Sequence, residues 1–260
     1  MGFEARTLDD DPVLLEQSYR LRYQVYCMER RFLPAGDYPD QREWDEFDAD
    51  SIHVGAVYAG TLAATARVVK PGRAGLPLFR HCTLFPNETA LDEAGRTMVE
   101  VSRVSISRHY ARRPDDTVWS GIAVAGAGAR AAPPGGQDRR KRTGEPFLTL
   151  LRAVIYASKR AGATHLIGAT DAALHRWLVH YGFPYRLAGP EVDFYGRVAP
   201  HIMSLAELDQ VIVGGRFASL HDFPVGMDPE RWPKPDEPAQ AVAPGHVVGP
   251  PAPAGRPVEQ

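Results

Sequence analysis

Apolar and polar positions along this chain alternate in two periods, and the periods take turns. In "DPVLLEQSYRLRYQVYCMERRF", Leu14, Leu15, Tyr19, Leu21, Val25 and Tyr26 recur at near-helical spacing. Asp11 supplies an N-cap, and Pro34 and Gly36 mark the end of the helix. "SIHVGAVY" and "TLAATARVVK" predict adjacent strands turned at Ala59-Gly60, and "MVEVSRVSIS", Met98 to Ser107, alternates as a half-buried strand should. "PFLTLLRAVIYASKRAGA" predicts an amphipathic helix closed by Gly162. "THLIGAT" then predicts a buried strand, and "DAALHRWLVHYGF" a helix that starts at Asp171 and breaks at Gly182. "PYRLAG" and "FYGRVAPHIMSL" predict late strands. The mixture predicts one α/β domain over residues 1–223 with a central sheet flanked by helices, interrupted by a long loop at 108–146. From 224 to 260 the pattern ends in a Pro-, Ala- and Gly-rich tail. That tail has too little apolar surface to offset the entropy of ordering it and is expected to be disordered.

Bulk composition narrows the function without choosing it. The chain has 260 residues, 44% of them hydrophobic, a net charge of −2 and a pI near 6.5, so no global field draws it to nucleic acid or membrane. Cys27 and Cys82 alone make no disulfide framework. The N-terminal stretch lacks a secretory pattern, no apolar run approaches a membrane span, and Arg6 stands where a myristoylation signal needs Ser or Thr. The expectation is a soluble, cytoplasmic protein with no transmembrane segment.

Charge placement changes the picture. "REWDEFDADSIHV" gathers Glu43, Asp45, Glu46, Asp48 and Asp50 at the mouth of a predicted strand. Calcium is a poor explanation because Ile52 and His53 follow where an EF-hand continues with ligands. Zinc is no better, since His53 stands alone and the nine histidines are scattered. No metal site is expected. No Gly-x-Ser-x-Gly elbow appears, and neither cysteine has a catalytic signature around it. Arg22 and Arg67 interrupt otherwise apolar runs, and Glu100, Ser102 and Arg103 sit inside a predicted strand. On an extended strand Glu100 and Ser102 share one face and Arg103 takes the other. A carboxylate buried there needs a partner such as Arg22 or Arg67, so the sequence predicts a buried charge network of the sort that often marks a site.

Arg22-x-x-Val25-Tyr26, Glu43-x-Asp45-x-x-Asp48, Arg67 and Glu100-x-Ser102-Arg103, in that order, resemble the pattern of acyl-homoserine-lactone synthases, which belong to the GNAT acyltransferase superfamily. "LRYQVYCMERRFLPAGDYPD", "EFDADSIHV" and "VEVSRVSIS" look closer to the PEP-CTERM/exosortase-associated acyltransferases, themselves similar to N-acyl amino acid synthases. The ordered motifs cover about residues 15–110, and "HYGFPYRLAGPEVDFYGRVAPHI" resembles that group's C-terminal part. Tyr26 stands where the lactone synthases prefer Phe and Phe32 where they carry Trp. The glycine-bearing pyrophosphate loop of ordinary GNAT enzymes is missing after the third strand, where "SRHYARRPDD" stands.

The resemblance implies a GNAT-like mixed sheet and an autoinducer-synthase-like N-acyltransferase. Such an enzyme moves a fatty acyl group from an acyl carrier protein, or acyl-CoA, thioester to the amine of an amino acid or similar small molecule, with no tightly bound cofactor. It implies Glu100 or Glu43 as base, with strand N–H groups or Arg103 serving the oxyanion. It places Arg22, Tyr26, Asp45, Asp48, Arg67 and Ser102 around substrate. Glu46 and Asp50 are expected to face solvent, and Val101, Val104, Leu150 and Val154 to line an acyl cleft. Arg112 and Arg113, with Arg139, Arg140, Lys141 and Arg142, are expected to dock the acidic carrier protein or its phosphopantetheine. The competing expectations are an acyl-CoA-dependent acetyltransferase of a small amine and a non-catalytic acyl-binding module.

Overall fold

The computed structural model describes residues 2–72, 75–93, 97–110, 123–124 and 145–225. Most of the expected 108–146 loop, with Arg112, Arg113, Arg139, Arg140, Lys141 and Arg142, lies outside the described residues, as does nearly all of the expected 224–260 tail.

Among the described residues nine strands form the sheet: β1 (Glu4–Thr7), β2 (Ser51–Tyr58), β3 (Thr61–Val69), β4 (Met98–Ile106), β5 (Ala123–Val124), β6 (His165–Thr170), β7 (Arg186–Leu187), β8 (Val192–Asp193) and β9 (Arg197–Ser204). Their order is β1-β2-β3-β4-β6-β9-β7, with β5 on β4 and β8 on β9. The first four run antiparallel to one another, β6 runs parallel to β4, and β9 returns antiparallel to β6. Helices α1 (Pro12–Tyr23), α2 (Pro86–Glu93), α3 (Glu145–Arg160), α4 (Ala172–His180) and α5 (Leu205–Val213) complete the domain. The β2–β3 turn falls at Ala59-Gly60 as expected, both residues at positive φ (48° and 78°).

Alternation along the strands fills both faces. Val68, Val99, Leu166 and Met203 join one core cluster, with Leu150 and Val154 of α3. Their neighbours Val69, Met98, Ile167 and Ile202 join the other, with Phe47 and Leu78. A central strand buried on both faces reads as a continuous apolar run, as "TLAATARVV" does. Leu150 and Val154, each 1% exposed, are therefore core and do not line a cleft; full burial of such a side chain contributes about 1.5–3 kcal/mol.

Two departures from the expected elements matter for the site. The first helix does not run on to Pro34. After Tyr23 it widens into a π segment, Gln24–Glu29, in which the Arg30 N–H bonds the Val25 carbonyl. Nor is β4 a plain extended strand. Register against β3 passes from Arg67↔Ser102 to Thr65↔Ser105, so Arg103 and Val104 oppose Ala66 alone. Arg103 absorbs the extra residue at φ 53°. This bulge corrects the expectation that Arg103 points away from Ser102: it turns the guanidinium toward Asp45, the carboxylate on which Arg67 also forks.

Candidate active site

The acidic stretch is folded around its own backbone. Asp45 caps the short 3-10 helix Glu46–Asp50, accepting from the Phe47 N–H at 2.9 Å, while the Asp48 carboxylate accepts from the Asp45 N–H at 2.7 Å. This capping box fixes both carboxylates with lone pairs left over, and three arginines occupy them.

Arg22 donates from Nε to Glu43 (2.6 Å) and in a fork from Nη1 and Nη2 to Asp48 (2.6 and 3.0 Å). Arg67 forks onto Asp45 through Nη1 and Nη2 (2.5 and 2.9 Å), and its Nε donates to Ser102 Oγ at 3.1 Å. Arg103 joins the two halves, reaching Glu43 from Nε (2.9 Å) and Asp45 from Nη2 (3.0 Å). His53 stands behind Asp48, with Nε2 3.0 Å from that carboxylate and Nδ1 2.7 Å from Asp9. Three guanidinium groups meet three carboxylates, so these six groups balance in charge; burial lowers the pKa of His53, but its bonds to Asp48 and Asp9 prevail and raise it.

The electrostatics follow from those contacts. Burial opposes charge on Arg22, but Glu43 and Asp48 overcome it and raise the Arg22 pKa. Burial likewise pushes Asp48 up, yet its bonds from His53 and Arg22 hold it well below the usual carboxylate range. Asp45 is lowered the same way by Arg67 and Arg103. Glu100 behaves differently. It makes no ion pair among the described residues; Oε2 accepts the Leu78 N–H at 2.6 Å, and burial pushes its pKa up to about 7. The expected pairing of Glu100 with Arg22 or Arg67 is corrected here, because both arginines are spent on the acidic stretch.

The network forms one end of a cleft of about 360 Å³. Its cause is the sheet. β6 pairs with β4 only over Met98–Glu100, and β5 takes up β4 again at Ser105, so the edge of β4 between them parts from its neighbour. At the apex the strands nearly touch: a Cβ on Gly168 would lie 3.0 Å from the Val101 carbonyl. Beyond that point Val101, Ser102, Arg103 and Val104 face Ala169 and Thr170 across open space. Asp45, Arg67 and Glu100 line the polar end, and Phe147, Leu151, Leu174, Leu178 and Val198 an apolar lobe.

Of the expected site residues, the cleft wall includes Glu100, Arg103, Tyr26, Asp45, Arg67 and Ser102. Glu43, Arg22 and Asp48 stand behind it, with Glu43 0% exposed and both its oxygens taken by arginines. On α3 the cleft residues are Phe147 and Leu151, in place of the expected Leu150 and Val154. Val101 and Val104 line it as expected, and Glu46 and Asp50 are exposed.

An aromatic row unforeseen in the sequence spans the polar end. Tyr26 meets Phe32 (centroids 6.0 Å apart), Phe32 stacks on Tyr195 (5.0 Å), Tyr195 abuts Phe194 (4.4 Å), and Phe194 stacks on His81 (3.8 Å). These residues come from three separate segments, so no local spacing announces them. Among the described residues no group of His, Cys, Asp and Glu could hold a metal ion, and no helix is long and apolar enough to cross a membrane.

With strand order, bulge and parted strands in view, comparison with known proteins becomes decisive for the fold. Residues 21–119 match the family described as an acetyltransferase (GNAT) domain. TofI, solved in a ternary complex with an inhibitor and MTA, superposes with a TM-score of 0.54 at 20% identity, over 89% of this chain and 100% of that one. The chain has the GNAT acyltransferase fold. BjaI, a CoA-dependent acyl-homoserine lactone synthase with SAM and isopentyl-CoA, gives a TM-score of 0.53 at 16% identity, over 84% of this chain and 91% of its own. FeeM, an N-acyl amino acid synthase from uncultured soil microbes, gives 0.51 at 13% identity, over 84% and 97%. No curated protein sequence matches the chain. In GNAT terms, the motif residues Arg22 to Arg103 all fall inside the matched region.

Proposed function

We propose that this GNAT-fold protein is an N-acyltransferase that moves a fatty acyl group from a carrier-protein or coenzyme A thioester to the amine of an amino acid or a similar small molecule. The observation that carries the reading is the cleft itself. A single opening between β4 and β6 joins a charged end holding Glu100, Ser102 and Arg103 to an apolar lobe of Phe147, Leu151, Leu174 and Leu178. An acetyl group would leave that lobe unfilled, so its size favours a longer chain. The likeness to lactone synthases and to an N-acyl amino acid synthase supports the same reading.

Glu100 is the base in this reading. Its Oε1 carries no hydrogen bond among the described residues, and a carboxylate with a pKa of about 7 accepts a proton from an ammonium near neutrality. The amine nitrogen then attacks the thioester carbonyl carbon, the C–S bond breaks, and the proton shed by the attacking nitrogen ends on the departing thiolate. Arg103 and backbone N–H groups of the parted β4 edge serve the oxyanion, while Tyr26, Asp45, Arg67 and Ser102 form the acceptor's surroundings. Glu43, Arg22 and Asp48 hold Arg103 and Arg67 in place. The exosortase-associated group is the kinship we favour. The cytoplasm is the compartment, acyl carrier protein the favoured donor, and Arg112, Arg113, Arg139, Arg140, Lys141 and Arg142 its docking surface.

The test is mass spectrometry of reactions holding the purified full-length chain, acyl carrier protein or coenzyme A thioesters, and a mixture of amino acids. We expect N-acyl products from the wild type and a loss of at least about a hundredfold in Glu100→Gln. If the wild type forms no amide from any donor while still binding acyl thioesters, the protein is a binding module and this reading is wrong.

A further inference from the structure

An amino acid brings two charges to an acyltransferase, and its carboxylate needs a cation as much as its amine needs a base. Among the described residues that line the cleft, the arginines are Arg67, Arg80 and Arg103. Arg67 spends every nitrogen on Asp45, Asp48 and Ser102. Arg103 is held between Glu43 and Asp45. Arg80 differs. Its Nη1 donates to Glu46 at 2.7 Å, while Nε and Nη2 have no hydrogen-bond partner among the described residues. The guanidinium carbon lies 4.3 Å from the centroid of the buried Phe47 ring, which holds the group in place without using its nitrogens. Both members of the Arg80–Glu46 pair line the cleft, with side chains 51% and 61% exposed.

An ion pair so exposed is held weakly, so it opens at little cost to a ligand carboxylate that meets two guanidinium nitrogens at once. The chain also ties Arg80 to the chemistry. Arg80 closes the 3-10 turn Pro77–Arg80, and the Leu78 N–H of that same turn is the donor that holds Glu100 Oε2. We infer that Arg80 binds the carboxylate of the acceptor, with Glu46 as the internal carboxylate that occupies the guanidinium until the acceptor displaces it. The acceptor is then an amino acid with a free carboxylate: its amine goes to Glu100 and its carboxylate to Arg80, on the turn that Glu100 itself anchors. A simple amine, or an amino acid amide, leaves Arg80 with Glu46. The inference rests on the acyl-transfer reading and names its acceptor class.

Binding of the expected product reads this without turnover. Calorimetric titrations of the full-length chain compare N-dodecanoyl-alanine with its primary amide, the same molecule without the charge. The wild type is expected to bind the carboxylate about tenfold more tightly. Arg80→Gln should bring the two affinities together, and Arg80→Lys, which keeps the charge without the fork, should recover part of the preference. Glu46→Gln gives a readout that a merely structural ion pair would not move. With the internal competitor gone, affinity for the carboxylate should rise by up to about fivefold, and affinity for the amide should not rise. Equal binding of the two ligands by the wild type, binding of neither, or a preference that survives Arg80→Gln overturns the inference. A Glu46→Gln variant that gains nothing for the carboxylate overturns it as well. A preference for the carboxylate with no amide product in the mass-spectrometric test would leave the Arg80 site standing and sink the acyl-transfer reading alone.

Discussion

Replacing Arg22 by Met tests the charge network where it is most enclosed. Arg22 is 1% exposed and makes hydrogen bonds of 2.6, 2.6 and 3.0 Å to Glu43 and Asp48. Taken singly, three bonds to charged groups would sum to more than about 5 kcal/mol. That sum overshoots, because Glu43 keeps Arg103 while Asp48 keeps Arg67 and His53. Against this, the cluster is left with one uncompensated negative charge and almost no access to water. Removing one partner of a buried pair costs about 3–5 kcal/mol, and the remaining partners place this case near the middle, at about 4 kcal/mol. For a domain of this size the loss corresponds to a fall in Tm of about 8–16 °C. Lys at the same position keeps the charge but lacks the fork, so Arg22→Lys should fall between the two. Calorimetric or circular-dichroism melts of the three proteins measure the effect, and Glu43→Gln added to Arg22→Met should cost less than the two single losses together. A loss below about 1 kcal/mol, the value of an exposed ion pair, would refute the network as described.

Three further outcomes follow from the titrating groups. Glu100 has a folded pKa of about 7 against an ordinary 4.5, so the rate of acyl transfer should fall about tenfold per pH unit below 7, with a limb absent from any residual activity of Glu100→Gln. Its folded form holds a proton that the unfolded chain releases, so stability declines as pH rises from 4.5 through 7. Glu100→Gln should then be more stable than wild type above that range, by up to about 3 kcal/mol, in denaturant titrations; equal stability would mean the carboxyl is not desolvated. For His53, burial lowers the pKa but its bonds to Asp48 and Asp9 prevail and raise it. The stabilisation it gives is complete below the ordinary 6.5 and is lost as pH rises through the raised folded value. His53→Gln should flatten that part of the stability–pH curve, and parallel curves would show that His53 is neutral in the fold.

Local pattern carried the sheet and its helices a long way. "SIHVGAVY", "TLAATARVVK" and "THLIGAT" became β2, β3 and β6, and the Ala59-Gly60 turn sits where its left-handed residues require. Elements with weak or short signals escaped: β1 is four residues long, and α5, Leu205–Val213, directly continues the β9 run without a Gly or Pro to separate them. The π segment escaped for another reason, since its apolar spacing reads as ordinary helix until the chain is seen to widen.

The candidate site divides in the same way. The sequence by itself determined that Arg22 and Arg67, which interrupt apolar runs, must find partners, because burial without pairing is too costly; Glu100, read the same way, meets its burial by holding a proton instead. Only tertiary structure decided who pairs with whom. Glu43, Asp45 and Asp48 lie within six residues, yet each meets arginines from different elements, and the β4 bulge reverses the side that Arg103 takes. The cleft is still further from local reading. It exists because β4 changes partner from β6 to β5 along its length, and its aromatic row joins Phe32 and His81 to Tyr195 and Phe194, more than a hundred residues away. Spacing along a chain fixes the faces of single elements, whereas a gap between two strands is a property of the pair and appears only when both are in place.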